Sequence, residues 1–338
     1  MIWSIQLASS WKKAAVMNNL HINNRITGPS PLPDTVQKAI ARQSISHRSD
    51  EFRKTVSNVR QGLMPLFGCT LPPLLFTSSG TAALESTIVN LVRHGDKILA
   101  LSIGYYGDLY ASMARHYFFG MVDHVVLECG DAFDEDNIEK IFQVNCYDIV
   151  LITHNESSTG CVQPLGRICH VIRNMSDALI MVDAVSSIGC VPFEFDAWHI
   201  DVAVTVTQKG LMAPPGMSIV TLSNRAFSRA IDAKKNIGTS IGSVAFDYLR
   251  CAEALDKDMV LTTPSLQSFW GLEAALCMIS AEGLKNVFRR HYLLSELTIK
   301  SVELLGLSIL PAHKNSSPSV TAIKLPKLIS SNDVLRVM

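Results

Sequence analysis

The chain has 338 residues, of which 48% are hydrophobic and 18% are charged, and this is enough apolar material for one large core and a smaller one. Its 30 basic and 30 acidic residues cancel, and no long block of one sign occurs. This balance argues against a nucleic-acid surface or an anionic membrane partner. We therefore expect a globular protein whose ligand is a small molecule.

The eight cysteines are scattered along the chain. None belongs to a C-x-x-C pair or to a Cys/His cluster with zinc-ligand spacing, so we predict reduced core cysteines and no metal site. The first twenty residues place lysines after a short apolar stretch, with no longer apolar block behind it. This pattern fits neither a secretory signal nor a membrane-spanning helix. The sequence predicts a cytoplasmic protein, with import into an organelle left open.

Residues 1–26 are irregular in sequence and are predicted to form an arm that packs on a partner or on a smaller domain. Beyond them, short apolar runs alternate with segments of helical length and period. The predicted strands are 74–76, 97–102, 124–129, 148–154, 178–184, 201–207 and 217–223. The predicted helices between them include 81–93, 107–117, 134–144 and 165–174. This alternation predicts an α/β fold with a mostly parallel sheet covered by helices on both faces.

The pattern changes after about residue 246. Long helical stretches follow at 267–281 and 284–305, and a strand-like run follows at 319–324. We therefore expect a large domain over residues 27–250 and a smaller, incomplete domain over residues 251–338. In an open α/β sheet the ligand binds beyond the carboxyl ends of the strands, so polar residues at those ends are the candidates for function.

The first such strand end opens a helix with the hydroxyl-rich turn around Ser79, Gly80 and Thr81. Free backbone N–H groups and the positive end of the helix dipole favour an anion such as phosphate there, and a glycine allows close approach. An ordinary N-cap made by Ser79 or Thr81 explains the same residues equally well. This turn alone therefore leaves both interpretations open.

Two further strand ends carry charge. An apolar strand ends at Asp183, and a buried carboxylate needs a cationic partner such as a protonated ring nitrogen. Another strand ends shortly before Lys209, which is followed by a Pro-Pro-Gly turn. Taken singly, these residues could be a helix cap and a solvated surface lysine. Together, a phosphate site, an acid for a pyridinium nitrogen and an amine for an aldehyde are what pyridoxal 5'-phosphate requires.

Five motifs in the same order resemble the class V aminotransferases of pyridoxal-phosphate fold type I. They are Ser79-Gly-Thr-Ala-Ala-Leu-Glu85, Gly104-Tyr-Tyr-Gly107, His154-Asn-Glu-Ser-Ser-Thr-Gly160, Val182-Asp-Ala-Val-Ser-Ser187 and Thr207-Gln-Lys-Gly-Leu-Met-Ala-Pro-Pro-Gly216. Within that family the chain is most similar to the alanine:glyoxylate and serine:glyoxylate (or serine:pyruvate) aminotransferases. The resemblance implies a large domain with a seven-stranded, mostly parallel sheet and a smaller C-terminal α+β domain.

The resemblance also implies a role for each matching residue. Lys209 would form a Schiff base with the cofactor and shuttle a proton, and Asp183 would keep the pyridine nitrogen protonated. Tyr106 and Val185 would pack against the two faces of the ring, and Ser158 would donate to the ring hydroxyl. The implied phosphate ligands are Ser79, Gly80, Thr81 and Gln208, with Thr207 as a helper.

The family's members are homodimers with shared active sites. By resemblance, Thr263 would reach the phosphate site of the partner subunit, and Gly28 would line the substrate pocket. The implied substrates are a small amino acid, alanine or serine, and a 2-oxo acid, glyoxylate or pyruvate.

The chain departs from the family pattern near its end, where the family carries an arginine that binds the substrate carboxylate. Arg336 does not stand in a matching context. We therefore expect cofactor binding, and we leave open a catalytically impaired homologue that acts as a dimerisation partner. A 2-aminoethylphosphonate:pyruvate transaminase is a second alternative. A lyase or desulfurase on the same fold is a third, but Cys251 and Cys277 lie in helical contexts that do not suit a mobile reactive loop.

Overall fold

The computed structural model describes residues 26–117, 122–235 and 242–337. The predicted N-terminal arm, except for Ile26, lies outside these residues. The strands are β1 (Leu74–Phe76), β2 (Ile98–Ser102), β3 (Val122–Val126), β4 (Ile149–Thr153), β5 (Asn155–Glu156), β6 (Cys161–Val162), β7 (Leu179–Asp183), β8 (Val202–Val206), β9 (Ser218–Leu222), β10 (Ser308–Ile309) and β11 (Ile323–Lys324).

The helices alternate with these strands over most of the chain. They are α1 (Asp34–Ile40), α2 (Asp50–Phe67), α3 (Gly80–Leu91), α4 (Tyr105–Tyr117), α5 (Glu135–Val144), α6 (Leu165–Met175), α7 (Asn224–Lys235), α8 (Tyr248–Leu255), α9 (Leu266–Glu282), α10 (Leu284–Leu304) and α11 (Ser331–Val337). A short 3₁₀ turn spans His313–Asn315.

One seven-stranded sheet runs through the molecule in the order β1-β9-β8-β7-β4-β2-β3. Strands β8, β7, β4, β2 and β3 pair in parallel, and only β9 runs against its neighbours β1 and β8. Every residue of β2, β4, β7, β8 and β9 is buried, as expected for strands covered on both faces. The predicted α/β fold with a mostly parallel seven-stranded sheet is confirmed.

Two predicted strands lie elsewhere. Strand β3 occupies Val122–Val126 rather than 124–129, because it is an edge strand that includes Asp123 and His124 and lacks a continuous apolar run. Only Ile323–Lys324 of the predicted strand 319–324 pairs, with β10. The residues just before it are bound to the large sheet's carboxyl edge instead: Ser319 Oγ donates to the carbonyl oxygen of Ser186 at 3.2 Å.

The buried side chains form two clusters. The main cluster covers both faces of the sheet and extends into α9, where Leu272 and Leu276 belong to it and the ring of Phe269 lies 5.2 Å from that of Phe52 in α2. The second cluster is small and joins Ile299, Val302 and Ile309 of α10 and β10. The domain boundary at residues 250/251 stays a prediction, and this division of the core favours a boundary within α10.

Within the three described ranges, no helix combines the length and apolar character needed to cross a bilayer. The same ranges contain no group of three or more His, Cys, Asp or Glu side chains arranged to hold a metal ion.

Candidate active site

A cavity of about 230 Å³ lies at the carboxyl edge of the sheet. It is where the ends of β1, β4, β7 and β8 meet the start of α3 and α4, which is the position expected for a ligand site in this architecture. Eight of the residues predicted from sequence line it: Ser79, Gly80, Thr81, Tyr106, Asp183, Val185, Gln208 and Lys209. The three predicted anchors, which lie far apart in the chain, are therefore together around one cavity.

Lys209 lies in the turn between the antiparallel strands β8 and β9. Its Nζ donates to the carbonyl oxygen of Thr27 at 2.6 Å, and the turn is bound to the same N-terminal segment through Ser30, whose N–H donates to Gln208 O and whose Oγ donates to Lys209 O. Burial lowers the pKa of Lys209, opposed by the nearby Asp183 carboxyl. A lowered pKa makes the neutral, nucleophilic amine more accessible near neutral pH.

Gly28 lies directly against this lysine. A Cβ on Gly28 would stand 2.8 Å from Lys209 Cδ and 2.9 Å from its Nζ, and the backbone φ of +123° is itself unfavourable for a side chain. Gly28 does not line the cavity. Its observed contribution is to leave room for Lys209, and its predicted contact with substrate stays a prediction.

Asp183 is the last residue of β7 and is 4% exposed. Its carboxyl accepts one hydrogen bond, from the N–H of Val185 at 2.9 Å. No cation among the described residues is within ion-pairing distance of it. Burial raises its pKa to about 7, and nearby Glu156 adds to this rise. A buried carboxyl without an ion-pair partner is suited to bind a cationic hydrogen-bond donor, and a protonated ring nitrogen is such a donor.

The N-terminus of α3 forms the other end of the cavity. Ser79 is its N-cap, and its side chain accepts from the N–H of Ala82 at 3.2 Å. The N-cap interpretation is therefore correct for Ser79. It does not exclude an anion, because the N–H groups at the start of the helix remain available for one. Gly80 packs tightly, since a Cβ there would lie 3.2 Å from Val206 Cγ1.

Gln208 also lines the cavity, and its Oε1 is buried without a hydrogen-bond partner among the residues that the structure describes. Buried polar atoms are nearly always paired in folded proteins, so an amide with an unpaired oxygen on a cavity wall fits contact with a polar ligand. The amide NH₂ group of Gln208 can donate to an anion. With Asp183, Lys209 and the start of α3, it gives a set of groups that fits pyridoxal phosphate: an amine, an acid, and donors for an anion.

Besides Gly28, three of the predicted residues lie off the cavity. Ser158 is exposed and its Oγ donates to Glu156 at 2.7 Å. Thr207 is buried and its Oγ1 donates to Pro214 O at 2.5 Å, which holds the lysine turn. Thr263 is exposed in the loop between α8 and α9, and its predicted role toward a partner subunit stays a prediction.

Several lining residues were missed from sequence. They are Leu84, Leu109, Asn155, Ser157, Ser186 and Val206. Asn155 donates to Ser186 O at 2.8 Å and to Ser319 Oγ at 2.9 Å, while its Oδ1 is buried and has no hydrogen-bond partner within the described ranges. A signal existed for Asn155, because it follows a buried strand at the same sheet edge as Asp183. The two serines carry no comparable signal.

The family comparison agrees with this geometry. The family model described as "Aminotransferase class-V" matches residues 29–338. The chain belongs to the class V aminotransferase family. That membership makes it an aminotransferase, and the family's fold implies pyridoxal phosphate as the cofactor.

Individual relatives support the same assignment. The chain is 32% identical to a serine–glyoxylate aminotransferase of Methylorubrum extorquens over 92% of its length and 78% of the relative's. It is 31% identical to an L-aspartate–glyoxylate aminotransferase of Paracoccus denitrificans, over 91% of this chain and 77% of that one. Among solved structures, an alanine–glyoxylate aminotransferase of Nostoc sp. superposes with a TM-score of 0.86 at 27% identity, covering 95% of this chain and 85% of that one.

Proposed function

We propose that this class V aminotransferase moves an amino group from a small amino acid, alanine or serine, to glyoxylate or pyruvate, with pyridoxal phosphate attached to Lys209. The observation that carries the proposal is the convergence of three groups on one cavity: the Lys209 amine, the N-terminus of α3 and the Asp183 carboxyl, which has no ion-pair partner among the described residues. The amine matches the cofactor's aldehyde, the acid matches its ring nitrogen, and the start of the helix matches its phosphate.

When bound, the cofactor supplies an electron-accepting ring that acidifies the proton on the substrate's amino-bearing carbon. The protein's part is to bind, orient and move protons. Asp183 would hold the proton on the ring nitrogen, because a buried carboxyl becomes a stable anion when it faces a cation. Lys209 would take up the substrate proton at Nζ and return it to the cofactor side. Tyr106 and Val185 would pack against the ring.

The substrate assignment follows from the relatives. The compared relatives differ in their named donor, which is serine, L-aspartate or alanine, whereas all three names contain glyoxylate. These names favour a small 2-oxo acid as acceptor and a small amino acid as donor.

We also propose a homodimer in which Thr263 completes the partner's phosphate site. The exposure of Thr263 outside the cavity of its own chain supports this assignment. Sedimentation of the purified protein tests it: the proposal requires a dimer at micromolar concentration, and a monomer would contradict it. The cytoplasmic location stays a prediction.

Attachment of the cofactor is tested first. Purified protein is titrated with pyridoxal phosphate, the visible absorption band of the lysine-bound cofactor is recorded, and borohydride reduction followed by peptide mass analysis locates the modified lysine. We expect the band for the wild type and for Lys38→Ala, an exposed lysine outside the cavity, and no band for Lys209→Ala. Absence of the band in the wild type would overturn the proposal.

The substrates are tested on the loaded protein. Alanine, serine, aspartate and 2-aminoethylphosphonate are added singly, and loss of the band shows which of them donates. Glyoxylate or pyruvate is then added and return of the band shows the acceptor. We expect alanine or serine with glyoxylate to work best. A response to 2-aminoethylphosphonate alone would replace this substrate assignment, and a band that no donor changes would indicate the impaired homologue.

A further inference from the structure

Glu156 is a charged residue of the site edge that the proposed mechanism does not use. It is the second residue of β5, directly beyond β4, and is 0% exposed. Within the described part of the chain it has no ion-pair partner. A buried carboxylate without a cation is costly unless hydrogen-bond donors surround it.

Four donors surround this carboxylate. Its Oε2 accepts from the backbone N–H groups of Tyr106 at 3.0 Å and Gly107 at 3.2 Å. Its Oε1 accepts from the N–H of Ser158 at 3.0 Å and from the Ser158 hydroxyl at 2.7 Å. The first two donors belong to the first turn of α4, whose positive end favours a negative charge.

The approach of Glu156 depends on Gly104, which precedes α4. A Cβ on Gly104 would stand 2.7 Å from Glu156 Cγ and 2.6 Å from Ser158 Oγ. No positive φ applies to Gly104, so its smallness, not its backbone freedom, is what the contact needs. The absence of a side chain here lets the carboxylate reach both α4 and the turn at Ser158.

Through these bonds Glu156 fixes a residue of the cavity wall. Tyr106 lines the cavity, and its backbone is held directly by Glu156. The carboxylate also acts at a distance, since it contributes to the raised pKa of both Asp183 and Tyr106. A second buried negative charge near Asp183 favours a positive charge on whatever Asp183 faces.

We propose that Glu156 is a positioning residue for the cofactor: its carboxylate fixes Tyr106 against the ring and adds negative charge behind Asp183. This inference rests on the proposed function, because it takes the cavity to be the pyridoxal phosphate site. The competing explanation is a helix cap that only stabilises α4.

The Glu156→Gln variant separates the two. Glutamine keeps the size of the side chain but removes its charge. Its NH₂ group replaces one carboxylate oxygen and therefore faces N–H donors, so the hydrogen bonds to that oxygen are lost. We expect the Kd for pyridoxal phosphate to rise at least tenfold, and the pH at which the visible band titrates to fall, because a negative charge that favours the protonated form is gone. Glu156→Asp keeps the charge and should restore the titration pH without restoring the Kd.

The matched control is Glu85→Gln, because Glu85 is a carboxylate of α3 that contacts the other end of α4. Glu85 accepts from the Tyr117 hydroxyl at 2.6 Å and does not line the cavity. We expect Glu85→Gln to lower thermal stability and to leave the Kd and the band unchanged. If Glu156→Gln folds poorly, Gly104→Ala displaces the carboxylate without removing it and should raise the Kd in the same direction.

The outcomes are distinguishable. A band in the wild type with a Kd within twofold for both Glu156→Gln and Gly104→Ala would overturn the positioning role and leave the proposed function standing. No band in the wild type would overturn the proposed function. In that case hydrogen exchange of the Tyr106 and Gly107 amides in the cofactor-free protein still decides whether Glu156 holds them: faster exchange in Glu156→Gln supports the role, and equal exchange contradicts it.

Discussion

Asp183 and Asp201 are both buried aspartates at ends of neighbouring strands, and they lie at opposite edges of the sheet. Asp201, which is 2% exposed and precedes β8, is fully paired. It forms a salt bridge with Arg173 and accepts from the N–H of Ile180 at 3.0 Å and from Ser223 Oγ at 2.8 Å. Asp183 accepts one backbone hydrogen bond. Equal burial with unequal pairing distinguishes Asp201, which stabilises the fold, from Asp183, for which we propose a cationic partner on the cofactor.

The largest expected effect is on the paired aspartate. Asp201→Asn leaves the largely buried Arg173 guanidinium without its counter-charge, so we expect a loss of about 3–5 kcal/mol in the free energy of unfolding, measured by urea denaturation. Asp196→Asn is the control, because Asp196 is exposed and accepts from Thr70 N at 2.8 Å. Equal stability of the Asp201 and Asp196 variants would remove the contrast. Folded Asp201→Asn protein should bind pyridoxal phosphate as the wild type does.

Substitution of Asp183 should instead lower turnover and spare stability. Asp183→Asn removes the group that would hold the ring-nitrogen proton, so we expect turnover to fall by roughly a hundredfold or more. The free energy of unfolding of the cofactor-free protein at pH 8 should stay equal or rise, because a costly buried charge is removed. Stopped-flow turnover and urea denaturation measure the two quantities. A large stability loss with normal turnover would show that Asp183 is a structural residue like Asp201.

The pH dependence of stability sharpens the contrast. Burial raises the pKa of Asp183 to about 7, so the native state binds a proton that the unfolded state releases, and stability contributed by this group falls as pH rises from about 4 to 7. Burial lowers the pKa of His154 to about 3, so its contribution falls as pH drops below about 6.5. Between about pH 4 and 6.5 the contributions of Asp183 and His154 to stability therefore change in opposite directions.

Asp183→Asn should therefore reveal the contribution of His154 to the pH dependence of stability. We expect the cofactor-free variant to lose stability more steeply than the wild type as pH falls from about 6.5 to 4, measured by thermal melts in matched buffers. Parallel profiles for the two proteins would contradict a raised pKa at Asp183. Loading with pyridoxal phosphate should abolish the fall in the Asp183 contribution as pH rises from about 4 to 7, because a cationic partner stabilises the charged carboxylate and lowers its pKa. The loaded wild type should therefore follow the profile of the Asp183→Asn variant.

The smallest effect concerns two helix caps. Ser79 caps α3 at the cavity, and Ser49 caps α2 away from it, each accepting from an N–H three residues on. We expect Ser79→Ala and Ser49→Ala each to cost about 1 kcal/mol in unfolding free energy. Only Ser79→Ala should also weaken pyridoxal phosphate binding, measured by titration of the visible band. Equal Kd values would restrict Ser79 to capping.

The sequence predicts the sheet and the three anchors for a common physical reason. A buried strand is a continuous apolar run, so a polar residue at or just after its end is easy to recognise. Asp183 ends one such run, and Lys209 follows another. The edge strand β3 has no such run, so its position was wrong. The anchors were joined by their shared chemistry, since no local pattern brings residues 79, 183 and 209 together.

The rest of the site depends on geometry that sequence does not encode locally. The β5–β6 hairpin sets the direction of each side chain in turn, so that Asn155 and Ser157 line the cavity whereas Ser158 contacts Glu156. The bond between Asn155 and Ser319 spans 164 positions. Contacts of that kind arise from the packing of distant segments, and no short-range sequence motif predicts them.

The hydrogen bond from Lys209 to Thr27 joins positions 182 residues apart. Closing a loop of that length costs entropy, which the folding of the intervening sheet must offset. The position of the amine is therefore a property of the whole folded sheet and not of the turn that carries it. A substitution that weakens the sheet far from the cavity would loosen this lysine as well.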